Sequence, residues 1–332
     1  MTEGRCRYMR IVFMGTPDFS VPTLRALVEG GHQVIAVVTQ PDKPKGRGKA
    51  VQMTPVKEQA VAYGIPVYQP VKARDESFVQ ILRELAPDVI VVVAFGQILP
   101  RVILELPKYG CVNIHASLLP KYRGAAPIQW AVIDGERETG ITTMMMAEGL
   151  DTGDMLEKVV IQLDEKETGG SLHDKLSVAG GQLILSTLEK IGNGTAVRTP
   201  QTEEGTCYAK RLTKELGDVD WSQSAVSIER LIRGLNPWPS AYTNWNGKTL
   251  KLWAADVLSD GGDGCVLGQE ASAAVPGQIV RSDRKNLVVK TGDGLLSIRE
   301  LQLEGKKRMD VESFLQGYPV QEGAVFERRL SD

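Results

Sequence analysis

The chain has 332 residues, 42% of them hydrophobic and 24% charged, and a formal net charge of -2. This length favours about two domains, and the composition is that of a folded globular protein rather than a disordered or fibrous one. So small a net charge excludes a general attraction to nucleic acid, and an RNA partner would have to be bound by local basic patches.

The cysteines and the first residues bear on metal binding and location. The cysteines lie far apart and form no CxxC pair, which argues against a zinc site and against a disulfide framework; they are Cys6, Cys111, Cys207 and Cys265. Residues 1–8 are polar and lack the apolar core of a signal peptide, so we interpret them as an N-terminal extension. The longest apolar run, residues 89–95, is too short to cross a bilayer. We therefore expect a cytoplasmic protein with no membrane segment and no metal.

The first part of the chain alternates between short β-branched runs and helical patterns. The runs are RIVFM, VIAVVT, PVYQ, DVIVVVAF, CVNIH, GITTMMM and MLEKVVIQL. Apolar residues at helical spacing lie between them, as at residues 21–28 and 78–85. This alternation predicts an α/β fold with an open, mostly parallel, Rossmann-like sheet. A longer helical pattern at residues 169–191 ends this first domain, which we place at residues 9–192.

The rest of the chain has a different pattern of residues. Residues 193–209 contain many turn formers and little apolar periodicity, which predicts a linker. A short helical pattern at residues 224–235 precedes AYTNWNGKTLKLWAADV, where Asn246 and Gly247 predict a tight hairpin turn. The strand-like runs GQIV, NLVVKT and GLLSIREL follow. Residues 210–332 are therefore predicted to form a small, OB-like β-barrel domain, with a β-sandwich as the alternative.

Two polar side chains stand at the end of the apolar run CVNIH. Asn113 and His115 are separated by one residue, so strand alternation places both side chains on the same face. They lie at the carboxyl end of a predicted parallel strand, which is where open α/β sheets bind ligands. Taken alone, the pattern fits a histidine hydrogen-bonded to the backbone equally well.

A carboxylate in a later turn favours a functional role for Asn113 and His115 over a purely structural one. Asp151 lies in EGLDTGDML, a glycine-flanked turn between two predicted strands, where the backbone can direct the side chain inward. An isolated aspartate of this kind more often bonds its own backbone. Together with Asn113 and His115, however, it suits acyl transfer, in which an oxyanion must be stabilised and a proton moved.

The sequence offers no evident covalent nucleophile. Ser117 is the nearest hydroxyl to His115, but no GxSxG elbow is present, and Cys111 lies inside the strand. Direct attack by an amine is therefore the favoured interpretation. The loop MGTPDFS after the first run lacks GxGxxG, which argues against a nicotinamide cofactor.

A basic segment could bind phosphates despite the low net charge. Residues 43–57, KPKGRGKAVQMTPVK, contain no acidic residue and five basic ones, namely Lys43, Lys45, Arg47, Lys49 and Lys57. Such a run is usually a solvated face. Its position between a strand and a helix, with two glycines, also fits a mobile lid over the site. In the second domain, Lys210 and Arg211 belong to scattered basic clusters that support only a patch.

These motifs together resemble the methionyl-tRNA formyltransferase family. The resemblance is carried by NIHASLLPKYRGAAPIQW, EGLDTGDML, MGTPDFSVPTL and TQPDKPKGRGK, and it covers nearly the whole chain from Met9. It implies that Asn113, His115 and Asp151 are the catalytic residues. It also implies that the stretch Ser117, Leu118, Leu119 and Pro120 contacts tetrahydrofolate.

The resemblance further implies the substrates. The donor would be 10-formyltetrahydrofolate, the acceptor the α-amino group of initiator methionyl-tRNA, and no metal would be needed. The basic loop would enter the acceptor end of the tRNA, with Arg47 as its key contact, and Lys121 with Arg123 would lie on the acceptor side. The predicted tRNA contacts are Lys43, Lys45, Arg47, Lys49, Lys210 and Arg211. The predicted pterin contacts after the buried strand are Phe95, Gly96 and Leu99, and we expect a monomer.

A mechanism follows as a hypothesis. The neutral amine attacks the formyl carbon, Asn113 and protonated His115 stabilise the oxyanion, and Asp151 favours the imidazolium and helps to accept the amine proton. The three residues alone leave open a folate-dependent formyltransferase acting on an amino sugar nucleotide or another small amine. A non-catalytic RNA-binding protein on the same fold is a further alternative, which the presence of all three polar groups argues against.

Overall fold

The computed structural model describes residues 8–45, 50–258 and 273–328, and they divide into two compact units. The first unit extends to Pro127 and also contains Glu138–Gln162 and His173–Ala209. The second contains Ile128–Arg137, Leu163–Leu172 and the chain from Lys210 onward. The predicted linker, residues 193–209, therefore packs as part of the first unit. Residues 128–137 and 163–172 fall inside the predicted first domain but belong to the second unit. One of the hydrogen bonds that hold them there runs from Gly170 N to Asn236 O at 2.9 Å.

The first unit is built around one large sheet. The strands of this unit are β1 (Arg10–Gly15), β2 (Gln33–Val38), β3 (Lys43–Lys45), β4 (Ala50–Gln52), β5 (Val67–Tyr68), β6 (Val89–Val93), β7 (Cys111–His115), β8 (Arg123–Gly124), β9 (Glu138–Met145), β10 (Met155–Gln162) and β11 (Tyr208–Ala209). In the described residues the large sheet has seven strands in the order β10-β9-β7-β6-β1-β2-β5. The strands from β7 to β5 are parallel and β9 and β10 are antiparallel, which confirms the predicted mostly parallel, Rossmann-like sheet.

Helices cover the sheet of the first unit and connect its strands. They are α1 (Val21–Glu29), α2 (Pro55–Ala62), α3 (Glu76–Leu85), α4 (Arg101–Leu104) and α6 (Gly169–Asn193), of which residues 169–172 belong to the second unit. The helix α5 (Pro127–Ile133) belongs to the second unit from Ile128 onward. All five residues of β6 are buried, as its continuous apolarity predicts for a strand covered on both faces. On one face Phe78 and Leu82 of α3 pack against Val12 and Ile90 of the sheet.

The second unit combines helices with an antiparallel sheet. Its remaining elements are α7 (Ala225–Gly234), β12 (Ala241–Trp245), β13 (Lys248–Leu258), β14 (Ile279–Ser282), β15 (Leu287–Lys290), β16 (Leu295–Leu303), β17 (Met309–Asp310) and α8 (Val311–Gly317). The strands pair in the order β12-β13-β16-β15-β14, with β17 beside β16. Asn246 and Gly247 have φ values of 50° and 72°, so the predicted tight hairpin turn is confirmed.

A segment near the end of the chain links the two edges of this second sheet. Asn244 of β12 bridges to Glu327, and Gln278, next to β14, bridges to Val325. These bridges favour the predicted small barrel over the sandwich. Its interior contains Trp221, Phe314 and Phe326, packed with the apolar face of α7. In the part of the chain that the structure describes, no helix combines the length and apolarity needed to span a bilayer.

Candidate active site

Asn113 and His115 lie on β7, which runs between β6 and β9 in the large sheet. The intervening Ile114 faces α6, where a Cβ on Gly180 would come within 3.0 Å of the Ile114 Cγ2. Strand alternation therefore turns Asn113 and His115 to the opposite face of the sheet. His115 is buried and Asn113 is half-buried. The Asn113 amide makes no side-chain hydrogen bond to any residue in the described ranges, so it is available to a ligand.

The His115 ring is fixed by a main-chain carbonyl. Its Nε2 lies 2.8 Å from the carbonyl oxygen of Tyr122. Because a carbonyl can only accept, Nε2 donates this hydrogen bond and must carry a proton. The other nitrogen, Nδ1, faces the Oδ2 of Asp151 at 3.7 Å, a distance beyond hydrogen-bond range. Nδ1 is therefore the ring atom that can exchange a proton with a substrate.

Asp151 is presented by a turn between β9 and β10. Its φ is 52°, a left-handed conformation that aspartate adopts more readily than most residues. The Oδ2 atom accepts a hydrogen bond from Gly124 N at 2.8 Å, and its main-chain carbonyl accepts one from Gln201 Nε2 at 2.7 Å. The turn thus holds the carboxylate beside His115, on the face of β7 that also carries Asn113.

Neither candidate nucleophile is available for covalent catalysis. Ser117 is fully buried and its hydroxyl donates to the Lys121 carbonyl at 2.7 Å. Burial raises the pKa of the Cys111 thiol to about 12, so the thiolate is scarce at neutral pH. These environments support direct attack by an amine.

The turn after β7 is anchored at several points. Thr142 Oγ1 donates to the Ser117 carbonyl at 2.7 Å and accepts from Leu119 N at 3.1 Å. The Lys158 ammonium donates to the Leu119 carbonyl at 2.6 Å, and partial burial lowers the pKa of this lysine. Ser117 and Leu119 are buried, whereas Leu118 and Pro120 are half-buried and present surface for a ligand.

The segment after β6 is mostly committed to the core. Phe95 and Leu99 are 2% and 3% exposed and pack in the apolar cluster beneath the sheet. Gly96, by contrast, is exposed and has a φ of 80°. The Phe95 carbonyl accepts from Thr16 Oγ1 at 3.2 Å and from Gln40 Nε2 at 3.1 Å. Of the three predicted pterin contacts, only Gly96 offers open surface.

The basic segment starts with a short hairpin. Lys43 is exposed on β3, and Lys45 ends that strand. Arg47 and Lys49 lie outside the described residues. Lys57 is half-buried and is not free in solvent, because its ammonium pairs with Asp42 and donates to Gln69. The hydrogen bonds from Lys57 and Gln69 hold the pKa of Asp42 below its ordinary value.

The remaining basic predictions fall in both units. Lys210 and Arg211 are exposed at the start of the long final stretch of the second unit. Arg123 was expected on the acceptor side, but this expectation is wrong, because only 1% of its surface is exposed. Its Nε donates to Gln201 Oε1 at 3.0 Å and its Nη1 to Glu203 Oε1 at 3.2 Å. The arginine is a structural cation of the first unit.

Three groups around Asn113, His115 and Asp151 have no sequence signal of their own. They are the Tyr122 carbonyl, the Gly124 amide and the Gln201 side chain. The first two are main-chain groups, and Gln201 lies in the turn-rich segment predicted as a linker. Across residues 8–45, 50–258 and 273–328, no cluster of three His, Cys, Asp or Glu residues has the arrangement of a metal site.

Comparison with known proteins identifies the family. The profile described as formyl transferase matches residues 9–188, and the formyl transferase C-terminal domain matches residues 211–319. A methionyl-tRNA formyltransferase of Agathobacter rectalis is 57% identical over 96% of this chain and 99% of its own length. One from Clostridioides difficile is 51% identical, with the same coverage of both chains.

Solved structures share the fold at much lower identity. WlaRD, a sugar 3N-formyl transferase, superposes with a TM-score of 0.64 at 17% identity and covers 91% of this chain and 100% of its own. HypX from Aquifex aeolicus in complex with tetrahydrofolic acid gives 0.62 at 19% identity, covering 97% of this chain and 51% of its own. From the sequence profiles and the full-length relatives, the chain belongs to the methionyl-tRNA formyltransferase family.

Proposed function

We propose that the chain transfers the formyl group of 10-formyltetrahydrofolate to the α-amino group of initiator methionyl-tRNA. The product is N-formylmethionyl-tRNA for translation initiation. Family membership supports methionyl-tRNA as the acceptor. The chemistry rests on one observation, that Nδ1 of His115 faces Asp151 at 3.7 Å on the strand face that carries Asn113. We infer likewise that the protein works as a monomer in the cytoplasm.

The site residues have distinct tasks in this reaction. When bound, 10-formyltetrahydrofolate supplies an activated formyl carbon. The Asn113 amide and a proton on His115 Nδ1 donate to the formyl oxygen as negative charge develops there. A bond forms between the amine nitrogen and the formyl carbon, and the bond to the folate nitrogen breaks. Asp151 is placed to accept the proton lost by the amine and to pass it on to the departing folate nitrogen, so the step is balanced.

The residues around the trio fit a folate donor. Leu118 and Pro120 offer half-buried apolar surface beside a turn that Thr142 and Lys158 hold fixed. A Cβ added to Gly96 would meet only the Gln40 amide, at 3.8 Å, so the space above this residue is open. A flat ring system could approach the main chain there. We propose that Ser117 to Pro120 and the segment containing Phe95, Gly96 and Leu99 hold the donor.

The acceptor can be tested directly. With 10-formyltetrahydrofolate as donor, we expect formyl transfer to methionyl-tRNA but not to uncharged tRNA, which lacks the α-amino group. An amino sugar nucleotide should react at less than about one hundredth of the kcat/KM for methionyl-tRNA. Labelled formyl groups recovered in each acceptor measure the three rates. Equal or better transfer to the sugar nucleotide would overturn the proposed acceptor.

Recognition of tRNA by local basic groups predicts a salt dependence. We propose Lys43, Lys45, Arg47, Lys49, Lys210 and Arg211 as phosphate contacts. The KM for methionyl-tRNA should then rise by up to about 10³-fold between about 50 and 200 mM salt, because six phosphate contacts release counterions and so favour binding at low salt. Lys43→Ala should make this dependence shallower, whereas Lys285→Ala, at another exposed lysine, should not. A KM that is independent of salt would contradict these contacts.

A further inference from the structure

We propose that Gln201, held by the buried guanidinium of Arg123, positions Asp151 for formyl transfer. The inference rests on the proposed function above, because it assigns Gln201 a role through Asp151 rather than through a substrate. It deepens that proposal by extending the site into residues 199–209, whose composition predicts only a linker.

Arg123 is unusual because it is a buried arginine. It is 1% exposed, and burial of a charged group is costly unless the group is fully hydrogen-bonded. Its hydrogen bonds reach Gln201, Glu203 and Tyr208. All three partners lie within the turn-rich segment, so the buried charge attaches that segment to the first unit.

Gln201 carries the restraint from Arg123 to the catalytic turn. Its Oε1 accepts from Arg123 Nε at 3.0 Å, which leaves the amide nitrogen pointing away. That Nε2 donates to the carbonyl oxygens of Asp151 at 2.7 Å and Gly153 at 2.8 Å. Gln201 therefore binds two main-chain carbonyl groups of the turn, one on each side of Thr152. Because the left-handed backbone of Asp151 is a sparsely populated conformation, such a turn persists only where its surroundings fix it.

The same tripeptide, Tyr122 to Gly124, sets the spacing of the catalytic pair. The Tyr122 carbonyl fixes His115, and the Gly124 amide fixes the Asp151 carboxylate. Arg123 lies between them, and its own N–H donates to the Cys207 carbonyl at 2.9 Å. A side chain at position 124 would come within 2.8 Å of the Ala209 carbonyl. The separation of Nδ1 and Oδ2 therefore depends on how this tripeptide and Gln201 are held.

The test compares two substitutions of Gln201. Gln201→Leu removes both sets of hydrogen bonds at nearly constant size. Gln201→Glu keeps the acceptor for Arg123 but sets a carboxylate oxygen against two carbonyl oxygens. In both variants we expect kcat to fall about 10–100-fold because the carboxylate is misplaced. The KM for each substrate should stay within about threefold of wild type. Steady-state kinetics on protein shown to be folded by its thermal unfolding curve measures both constants.

Glu203→Gln is the matched control. Glu203 contacts the same arginine, but its side chain is 83% exposed and makes no described contact with Asp151. Its kcat should remain within about twofold of wild type, since the glutamine oxygen can still accept from Arg123 and the charge removed lies on an exposed side chain. A loss equal to that of Gln201→Leu would mean that any disturbance of Arg123 suffices, and the specific role of Gln201 would be wrong.

A double variant separates positioning from general stabilisation. If Gln201 acts through Asp151, then adding Gln201→Leu to Asp151→Ala should not lower kcat further. Multiplying losses would overturn the proposal and assign Gln201 a purely structural role. If Asp151→Ala alone retains wild-type kcat, the catalytic role of Asp151 fails. If Asp151→Ala is impaired while Gln201→Leu is not, only the positioning role fails.

Discussion

Asn113→Ala is expected to lower kcat about 10²–10³-fold while leaving the fold intact, because it removes one hydrogen-bond donor to the developing oxyanion. The loss should appear in kcat and in kcat/KM alike, since the interaction strengthens only in the transition state. Stability should change little. The Asn113 amide has no side-chain hydrogen bond to any described residue, so its removal leaves no buried protein group without a partner.

The measurement is formyl transfer to methionyl-tRNA at saturating donor, alongside the free energy of unfolding. Asn244→Ala is a matched control, because Asn244 is also a half-buried strand asparagine but lies in the second unit. A kcat within about threefold of wild type for Asn113→Ala would contradict its role as oxyanion donor. Asn113 is a better probe than His115, whose ring also satisfies the buried Tyr122 carbonyl.

Much of the fold could be predicted because its signals are local. The continuous apolarity of β6 and the alternating pattern around it are sufficient to indicate a buried parallel sheet. Asn246 and Gly247 predict their own turn, since few other residues adopt two successive positive φ angles. In the same way, strand parity predicts the shared face of Asn113 and His115.

Other features depend on tertiary packing, which residue type does not reveal. The charge of Arg123 suggests a surface residue, yet three hydrogen-bonding partners make its burial possible. Phe95 and Leu99 could line a ligand site or a core, and the structure places them in the core. The segment at residues 193–209 lacks an apolar periodicity because it is not a long helix or strand. It is held by individual hydrogen bonds, such as those of Gln201, and by a two-residue strand.

His115 and Asp151 also show why a sequence reveals candidate site residues more readily than the groups that hold them in place. His115 and Asp151 are residue types with known chemistry, and each is recognisable in its motif. The Tyr122 carbonyl and the Gly124 amide that hold them are main-chain groups, which every sequence contains. Only the parallel pairing of β8 with β11 explains why these two groups face the site.

Asp151→Asn should lower kcat about 10²–10³-fold without a comparable change in the KM for either substrate. The asparagine carbonyl can still accept from Gly124 N, so the turn is retained. What is lost is the negative charge 3.7 Å from His115 Nδ1 and, in the proposed mechanism, the group that takes the amine proton. The oxygen that accepts from Gly124 N is also the atom that faces Nδ1, so the variant keeps an oxygen at this position and loses its charge.

Single-turnover transfer with both substrates saturating, combined with ¹⁵N NMR of His115, distinguishes charge from hydrogen bonding. The proton should stay on Nε2 in both proteins, because the Tyr122 carbonyl requires it there. Asp293→Asn, in another glycine-flanked turn, is the control and should keep wild-type rates. If Asp151→Asn reacts within about threefold of wild type, Asp151 acts only by hydrogen bonding. The proton would then have to pass directly from the amine to the donor nitrogen.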